Sequence, residues 1–271
     1  MANIDLTAYT GSESLDALGL RVVVVSVYNE AQRLSEHAFD LLFASPDTHL
    51  LFVDDGSTDA SAERLNAIAE HFRSKCEILT LPSNVGKAEA VRRGMLHALQ
   101  KGAAVVGYLD ADGAVPAGEM LRLLDTLEQK NLDVIIGARV ALVGYNIRRN
   151  PIRHYLGRVF ATMAALTLNL TIYDTQCGAK CFRATSTLAT ALARPFDAGW
   201  AFDVELLSRL LPRRNNKETS SPRPPNEAWE EMPLRQWEDK AGSKIGLLSP
   251  LNMFFSLIRL YIKRRIGLEK N

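Results

Sequence analysis

LRVVVVSVYN, residues 20–29, holds four consecutive valines with no polar alternation, a pattern that suits a parallel strand covered on both faces. EAQRLSEHAFDLLFAS follows it with a helical pattern that stops near Pro46. HLLFVDDGSTDASAERLNAIAEHFRSK repeats the arrangement: an apolar strand, an acidic turn, then a helix that Ser57, Thr58 or Asp59 can cap. CEILTLP with NVGKAEAVRRGMLHALQKG makes a third unit, and AAVVGYLDAD supplies a fourth strand. Strands alternating with helices predict an α/β fold, a mainly parallel central sheet with helices on both faces. In such sheets ligands bind beyond the carboxyl ends of the strands. Three polar clusters fall there and are expected to converge on one crevice: Tyr28-Asn29-Glu30, Asp54-Asp55 and Asp110-Asp112.

The third cluster carries chemistry of its own. Where strand geometry persists, residues two apart point to one side, so Asp110 and Asp112 project together while Ala111 faces away. Two like charges held close either share a proton or bind a cation. Hard oxygen ligands favour Mg²⁺ or Mn²⁺, whose shell keeps room for substrate phosphate oxygens. An acidic turn can equally cap the following helix, AGEMLRLLDTLEQK, and the motif alone leaves both readings open.

Composition narrows the partners. The 271 residues carry a formal net charge of only +1, so no global field draws the chain to nucleic acid, and no nucleic-acid partner is expected. Cys76, Cys177 and Cys181 are odd in number, and a C-x₃-C pair without a second pair is poor zinc spacing. No zinc is expected, and a reducing, cytoplasmic compartment is. MANIDLTAYTGSESLD has neither the charged start nor the apolar core of a signal peptide and reads as an extension over residues 1–19.

SVYNE, VDDGSTD, NVGKAEAVRRGM, LDAD and VIIGAR occur in this order, each at a strand end or in the loop after it. As a set they resemble the family 2 glycosyltransferases of the GT-A fold over residues 20–210, which implies a GT-A domain spanning residues 20–240. The resemblance implies that Tyr28, Glu30, Asp54 and Asp55 hold the base and ribose of a nucleotide sugar. It places Asp110, Ala111 and Asp112 at the metal-bound diphosphate. Residue chemistry agrees, since carboxylates accept from ribose hydroxyls or base N–H groups and an aromatic ring stacks on a base. One departure is Ser26, where the family usually has proline, which implies a less rigid entry to the pocket. Lys87, ahead of a helix, is suited to a phosphate, whereas Arg92 and Arg93 serve equally well as a solvated basic face.

GARVALVGYNIRRNPIRHYLGRVFATMAALTLNLTIYDTQCGAKCFRA resembles the branch of that family that glycosylates polyprenyl phosphates, and DTQCGAKCF is most similar to dolichyl-phosphate β-glucosyltransferases. WAFDVELLSRL and AGSKIG match the same branch. The resemblance implies inverting transfer of a hexose to a polyprenyl phosphate, from UDP-glucose first and GDP-mannose close behind. Arginine forks bind phosphate oxygens, which makes Arg139, Arg148, Arg149 and Arg153 candidate clamps, Arg139 and Arg153 foremost. Arg148 and Arg149 serve equally as solubilising loop residues. Lys244 is similar to a family lysine at the acceptor phosphate, where Arg139, Arg149 and Arg153 are also expected. Asp174 and Asp203 are candidate catalytic carboxylates. A hydroxyl acceptor needs a base, but a lipid phosphate, with a second pKa near roughly 6, is already anionic, so both can instead orient arginines or the donor sugar. A soluble transferase acting on a saccharide hydroxyl and a nucleotide-sugar binding protein without turnover remain the alternatives.

PRRNNKETSSPRPPNE, residues 212–227, reads as a mobile surface loop, and EMPLRQWED as a strand returning to the site. Residues 241–271 read as a basic amphipathic helix. It is shorter than a confident membrane span and contains Asn252 and Arg259, so it suits the membrane interface or packs on the domain. Lys263, Arg264 and Arg265 would favour anionic headgroups. The expected location is cytoplasmic, peripherally associated with the cytoplasmic face of a membrane.

Overall fold

The computed structural model describes residues 19–148, 151–211, 223–240 and 249–266, without the side chains of residues 36, 151–154, 156, 249–252 and 265–266. The four strands read from the sequence are β1 (Arg21–Val27), β2 (Thr48–Asp54), β3 (Cys76–Thr80) and β4 (Val105–Asp110). They pair in parallel in the order β3-β2-β1-β4. β5 (Val134–Ala138) runs parallel to β8 (Trp229–Pro233), and β7 (Ala179–Arg183) is wedged between β4 and β5, antiparallel to both. The result is a seven-stranded mixed sheet, β3-β2-β1-β4-β7-β5-β8, with β6 (Asn146–Arg148) and β9 (Gln236–Glu238) as a separate parallel pair.

The valine run explains why β1 lies inside the sheet. Val22 and Val24 pack into one apolar layer and Val23, Val25 and Val27 into the other, all buried. One face is covered by α1 (Asp40–Ala44), α2 (Ser61–His71) and α4 (Ala117–Gln129), through Leu42, Leu65, Ile68, Met120 and Leu124. The other is covered by α3 (Lys87–Gln100), α5 (Pro151–Leu168), α6 (Ser186–Leu192), α7 (Phe202–Leu210) and α9 (Ser249–Ile266). A single turn, α8 (Pro225–Ala228), leads into β8.

Two local expectations change. The helix read over EAQRLSEHAFDLLFAS reduces to a 3-10 turn at Glu36–Phe39 and the short α1. The residues before it form only a turn, the Arg33 and Leu34 amides donating to the Glu30 carbonyl, while the amides of Asn29, Glu30 and Ala31 donate to Ser57, Ser61 and Asp59 side chains. For α2, of the three expected caps it is Asp59 that takes the Ser61 amide, at 2.9 Å.

Of the stretch 212–227, residues 212–222 lie outside the described residues; Arg223 pairs with Asp133. α9 packs against α5 and inserts Leu257 and Leu260 into the core. Lys263 reaches Asp197 at 2.7 Å and Arg264 bonds Ser208, so both basic residues contact their own domain. The side chain of Arg265 lies outside the described residues. Among the described residues no helix is long and apolar enough to cross a membrane.

Candidate active site

Because β2, β1 and β4 are neighbours and parallel, their carboxyl ends bring the three polar clusters to one edge of the sheet. Half-buried Tyr28 follows β1 directly. Asn29, with φ 50°, turns the chain, and its side-chain oxygen accepts from the Thr58 amide at 2.8 Å. Glu30 is gripped by Arg33 through two bonds of 2.6 and 2.7 Å. Ser26, the departure from proline, stands inside β1 opposite Val53 and Asp110, where two ladders hold the backbone that proline would otherwise stiffen.

Asp54 and Asp55 differ in role although adjacent. Asp54 Oδ1 accepts the Ser57 amide at 3.0 Å and shapes its own turn. Asp55 reaches across to the loop before α3, accepting the Val85 amide at 2.7 Å, the Gly86 amide at 2.9 Å and Asn84 Nδ2 at 3.0 Å. Burial holds its carboxyl above the usual value, against the pull of those amides. Gly56 permits this close approach: its φ is +68°, and a Cβ would lie 2.6 Å from the Ser83 carbonyl carbon.

That loop delivers Lys87, the first residue of α3, whose ammonium stands 2.5 Å from Asp110 Oδ1. Burial lowers the Lys87 pKa, but the charges of Asp110, Asp203 and Asp112 outweigh it and leave it raised. Arg92 is buried on Glu89 and the Leu192 carbonyl, and Arg93 pairs with Glu89 while its charge pulls the Asp55 pKa down.

β4 ends at Asp110, and the chain turns before Asp112, so strand alternation does not set their relation. Asp112 Oδ1 accepts the Ala114 amide at 3.0 Å, whereas α4 follows its N-cap Pro116 without any side-chain cap. The acidic turn is therefore not the cap of the next helix. Burial raises the Asp112 pKa, and the charge of Asp110 raises it further. Ala111, between them, is buried. Behind Asp110 lies Gly178, which the sequence reading did not single out. Its carbonyl accepts the Asp110 amide at 3.0 Å, and a Cβ at Gly178 would fall 2.2 Å from Asp110 Oδ2. The carboxylate is thus cradled against bare backbone.

Asp110 and Asp112 offer hard oxygens to a divalent cation. Oδ1 of Asp110 is buried and, among the described residues, receives no aligned hydrogen bond, the ammonium of Lys87 being its neighbouring charge. A buried carboxylate oxygen beside a second carboxylate, with the Lys87 ammonium on it, fits Mg²⁺ or Mn²⁺ completed by phosphate oxygens.

Deeper lies a charge pair that sequence reading half found. Asp203, at the start of α7, accepts Lys180 Nζ at 2.6 Å and the Tyr108 hydroxyl. Lys180 also donates to the Cys177 carbonyl at 2.6 Å. Asp174, at the outer wall, takes Arg139 as a fork, Nε at 2.6 Å and Nη2 at 2.7 Å, and Trp237 lies under the guanidinium at 5.3 Å. Burial lowers the Arg139 pKa and Asp174 more than restores it, so Arg139 remains charged. Glu231, another residue missed, accepts the Tyr173 and Asp174 amides at 2.7 and 2.5 Å and fixes that carboxylate in turn. Its only sequence signal was its place in the returning strand.

Cys177 and Cys181 are separately buried, and burial pushes Cys177 up to about 12. Arg148 is exposed on β6, with Nη1 3.8 Å from Glu238. Arg153 lies in the first turn of α5, its side chain outside the described residues, as are Arg149 and Lys244.

Three acidic clusters thus meet at one edge of the sheet, and the model of glycosyl transferase family 2 matches residues 22–188. The chain belongs to glycosyl transferase family 2. Among curated relatives, the dolichyl-phosphate beta-glucosyltransferase of Saccharomyces cerevisiae is 29% identical over 92% of this chain and 76% of its own. The polyprenol monophosphomannose synthase of Mycolicibacterium smegmatis is 27% identical over 70% of this chain and 71% of its own. Among solved structures, glucosyl-3-phosphoglycerate synthase from Mycobacterium tuberculosis, in complex with Mn²⁺, uridine diphosphate and phosphoglyceric acid, matches with TM-score 0.63. It is 16% identical and covers 92% of this chain and 81% of that one, a likeness of fold. The GT-A architecture read from the motifs is the one seen, and the protein is a glycosyltransferase.

Proposed function

We propose that this family 2 glycosyltransferase moves a hexose, with inversion and with a divalent metal, from a nucleotide sugar to a polyprenyl phosphate. Glucose from UDP-glucose is the favoured sugar. The observation that carries this reading is the likeness to the yeast dolichyl-phosphate beta-glucosyltransferase along 92% of the chain.

Tyr28, Glu30, Asp54 and Asp55 would serve the base and ribose, Tyr28 by stacking and the carboxylates by accepting. Asp110 and Asp112 would hold Mg²⁺ or Mn²⁺, which when bound neutralises charge on the departing diphosphate. Lys87 adds a cation from the other side. Arg139, oriented by Asp174, is the built part of the acceptor-phosphate wall, with Arg149, Arg153 and Lys244 as its further candidates. Asp174 and Asp203 each already carry a cation, Arg139 and Lys180. That arrangement suits an acceptor that brings its own charge rather than one needing a strong base.

Lipid contact is supported by the outward faces of two packed helices. α5 exposes Tyr155, Val159 and Leu166, and α9 exposes Phe255 and Ile262, which suit a membrane interface better than water. The enzyme would work peripherally at the cytoplasmic face.

The test is release of nucleoside diphosphate from UDP-glucose and from GDP-mannose, with Mn²⁺ or Mg²⁺, with and without a short polyprenyl phosphate, followed by mass and anomeric analysis of the lipid. A β-hexosyl-phosphate lipid formed from UDP-glucose supports the reading. Product from GDP-mannose alone moves it to the mannosyl reading that the mycobacterial relative favours. Lipid-independent transfer to a saccharide hydroxyl, or donor binding without product, overturns it.

A further inference from the structure

Lys87 and a metal ion would compete for the same oxygen. The ammonium of Lys87 lies 2.5 Å from Asp110 Oδ1, the buried atom that receives no aligned hydrogen bond among the described residues. Other nearby cations are held by carboxylates of their own: Arg139 by Asp174, Lys180 by Asp203, and Arg33 by Glu30. Asp110 and Asp112 share Lys87 as their close ammonium, while the guanidinium charges of Arg139 and Arg33 act on them from their own carboxylate partners. A divalent cation arriving on the same carboxylates would add two positive charges beside Lys87, with two cations crowded on Asp110. The conflict is relieved when a diphosphate enters and offers Lys87 another anion, which its flexible four-carbon stem can follow.

We propose that Lys87 is a place-holding counter-ion: without donor it occupies Asp110, and it moves to the diphosphate when metal and nucleotide bind, coupling the two. The inference rests on the metal reading above. Its consequence is thermodynamic. Metal alone binds weakly to the wild-type protein because Lys87 must be displaced. A nucleoside diphosphate strengthens metal binding, and by reciprocity the metal strengthens nucleotide binding by the same factor.

Mn²⁺ titration of the full chain, followed by loss of the free-ion electron paramagnetic resonance signal, tests this without turnover. Lys87→Gln and the apolar Lys87→Met are compared with wild type, with and without saturating UDP or GDP. Both variants are expected to bind Mn²⁺ at least about threefold more tightly than wild type when no nucleotide is present, the order expected for coupling between neighbouring charges. With the nucleoside diphosphate that binds, the order reverses and wild type becomes the tighter. Equal Mn²⁺ affinity of wild type and both variants without nucleotide overturns the place-holding role and leaves the metal reading standing. Absence of Mn²⁺ binding in all three proteins, with and without UDP or GDP, overturns both together.

Discussion

Lys180 and Asp203 form an ion pair inside the protein, the ammonium fully buried and 2.6 Å from the carboxylate. The same ammonium holds the Cys177 carbonyl, and the same carboxylate takes the Tyr108 hydroxyl. The pair thus ties α7 to β4 and to the turn whose Gly178 supports Asp110.

Removing one partner leaves the other charged and buried. Lys180→Met is expected to lower stability by about 3–5 kcal/mol. The double variant Lys180→Met with Asp203→Leu should recover much of that, because no lone charge remains. Urea denaturation of the three proteins measures it; a single variant as stable as wild type contradicts the role.

Arg139 makes a fork on Asp174 and lies over Trp237, geometry that an ammonium lacks. Arg139→Lys keeps the charge but is expected to reduce turnover by roughly tenfold or more, since a hydrogen bond to a charged group contributes about 1.5–3 kcal/mol. Steady-state kinetics with varied lipid phosphate checks this, and wild-type kinetics in the variant would remove Arg139 from the acceptor wall.

Gly178 has no room for a side chain on the Asp110 side, a Cβ there meeting Oδ2 at 2.2 Å. Gly178→Ala must push the carboxylate from its seat, at an overpacking cost of about 1–3 kcal/mol. The expected signature is a folded protein with weakened Mn²⁺ binding. Unchanged metal affinity, read in the same titration, would show that the seat does not matter.

Asp112 has its pKa raised by burial first and by Asp110 second. An unfolded aspartate titrates near about 3.9. Between that value and the raised native one, the native protein binds more protons than the unfolded chain, so the metal-free protein gains stability from this group as pH falls through the window. Asp112→Asn should abolish that gain and metal-dependent turnover together. Denaturation midpoints at stepped pH in chelator, variant against wild type, measure the first; product formation measures the second. Full activity in the variant would sink the metal assignment.

Much of the fold was legible because burial on both faces leaves a local mark. The valine run of β1 and the apolar runs of β2 and β4 can be read as inner strands without knowing their neighbours, and each does lie inside the sheet. β7 was not legible. AKCFR is short, and its place between β4 and β5 depends on pairing with residues far away in sequence, as Tyr108 with Lys180 and Ile135 with Cys181. The stretch before the short α1 was read as helix, whereas its Glu30 and Ala31 amides donate to Ser61 and Asp59, partners 31 and 28 residues away that the local pattern does not reveal.

The candidate site divides in the same way. Residue identity and order in the chain determined that carboxylates would gather at the ends of β1, β2 and β4, since strand ends in a parallel sheet point one way. What each carboxylate does was decided only in three dimensions. Asp55 is bound to the amides of residues 85 and 86, Asp174 to Arg139, and Asp203 to Lys180, while Asp110 is seated against Gly178 with Lys87 alongside. A carboxylate is the same group wherever it occurs in sequence; its burial and the cations and amides within hydrogen-bond reach give it a task, and tertiary packing supplies both.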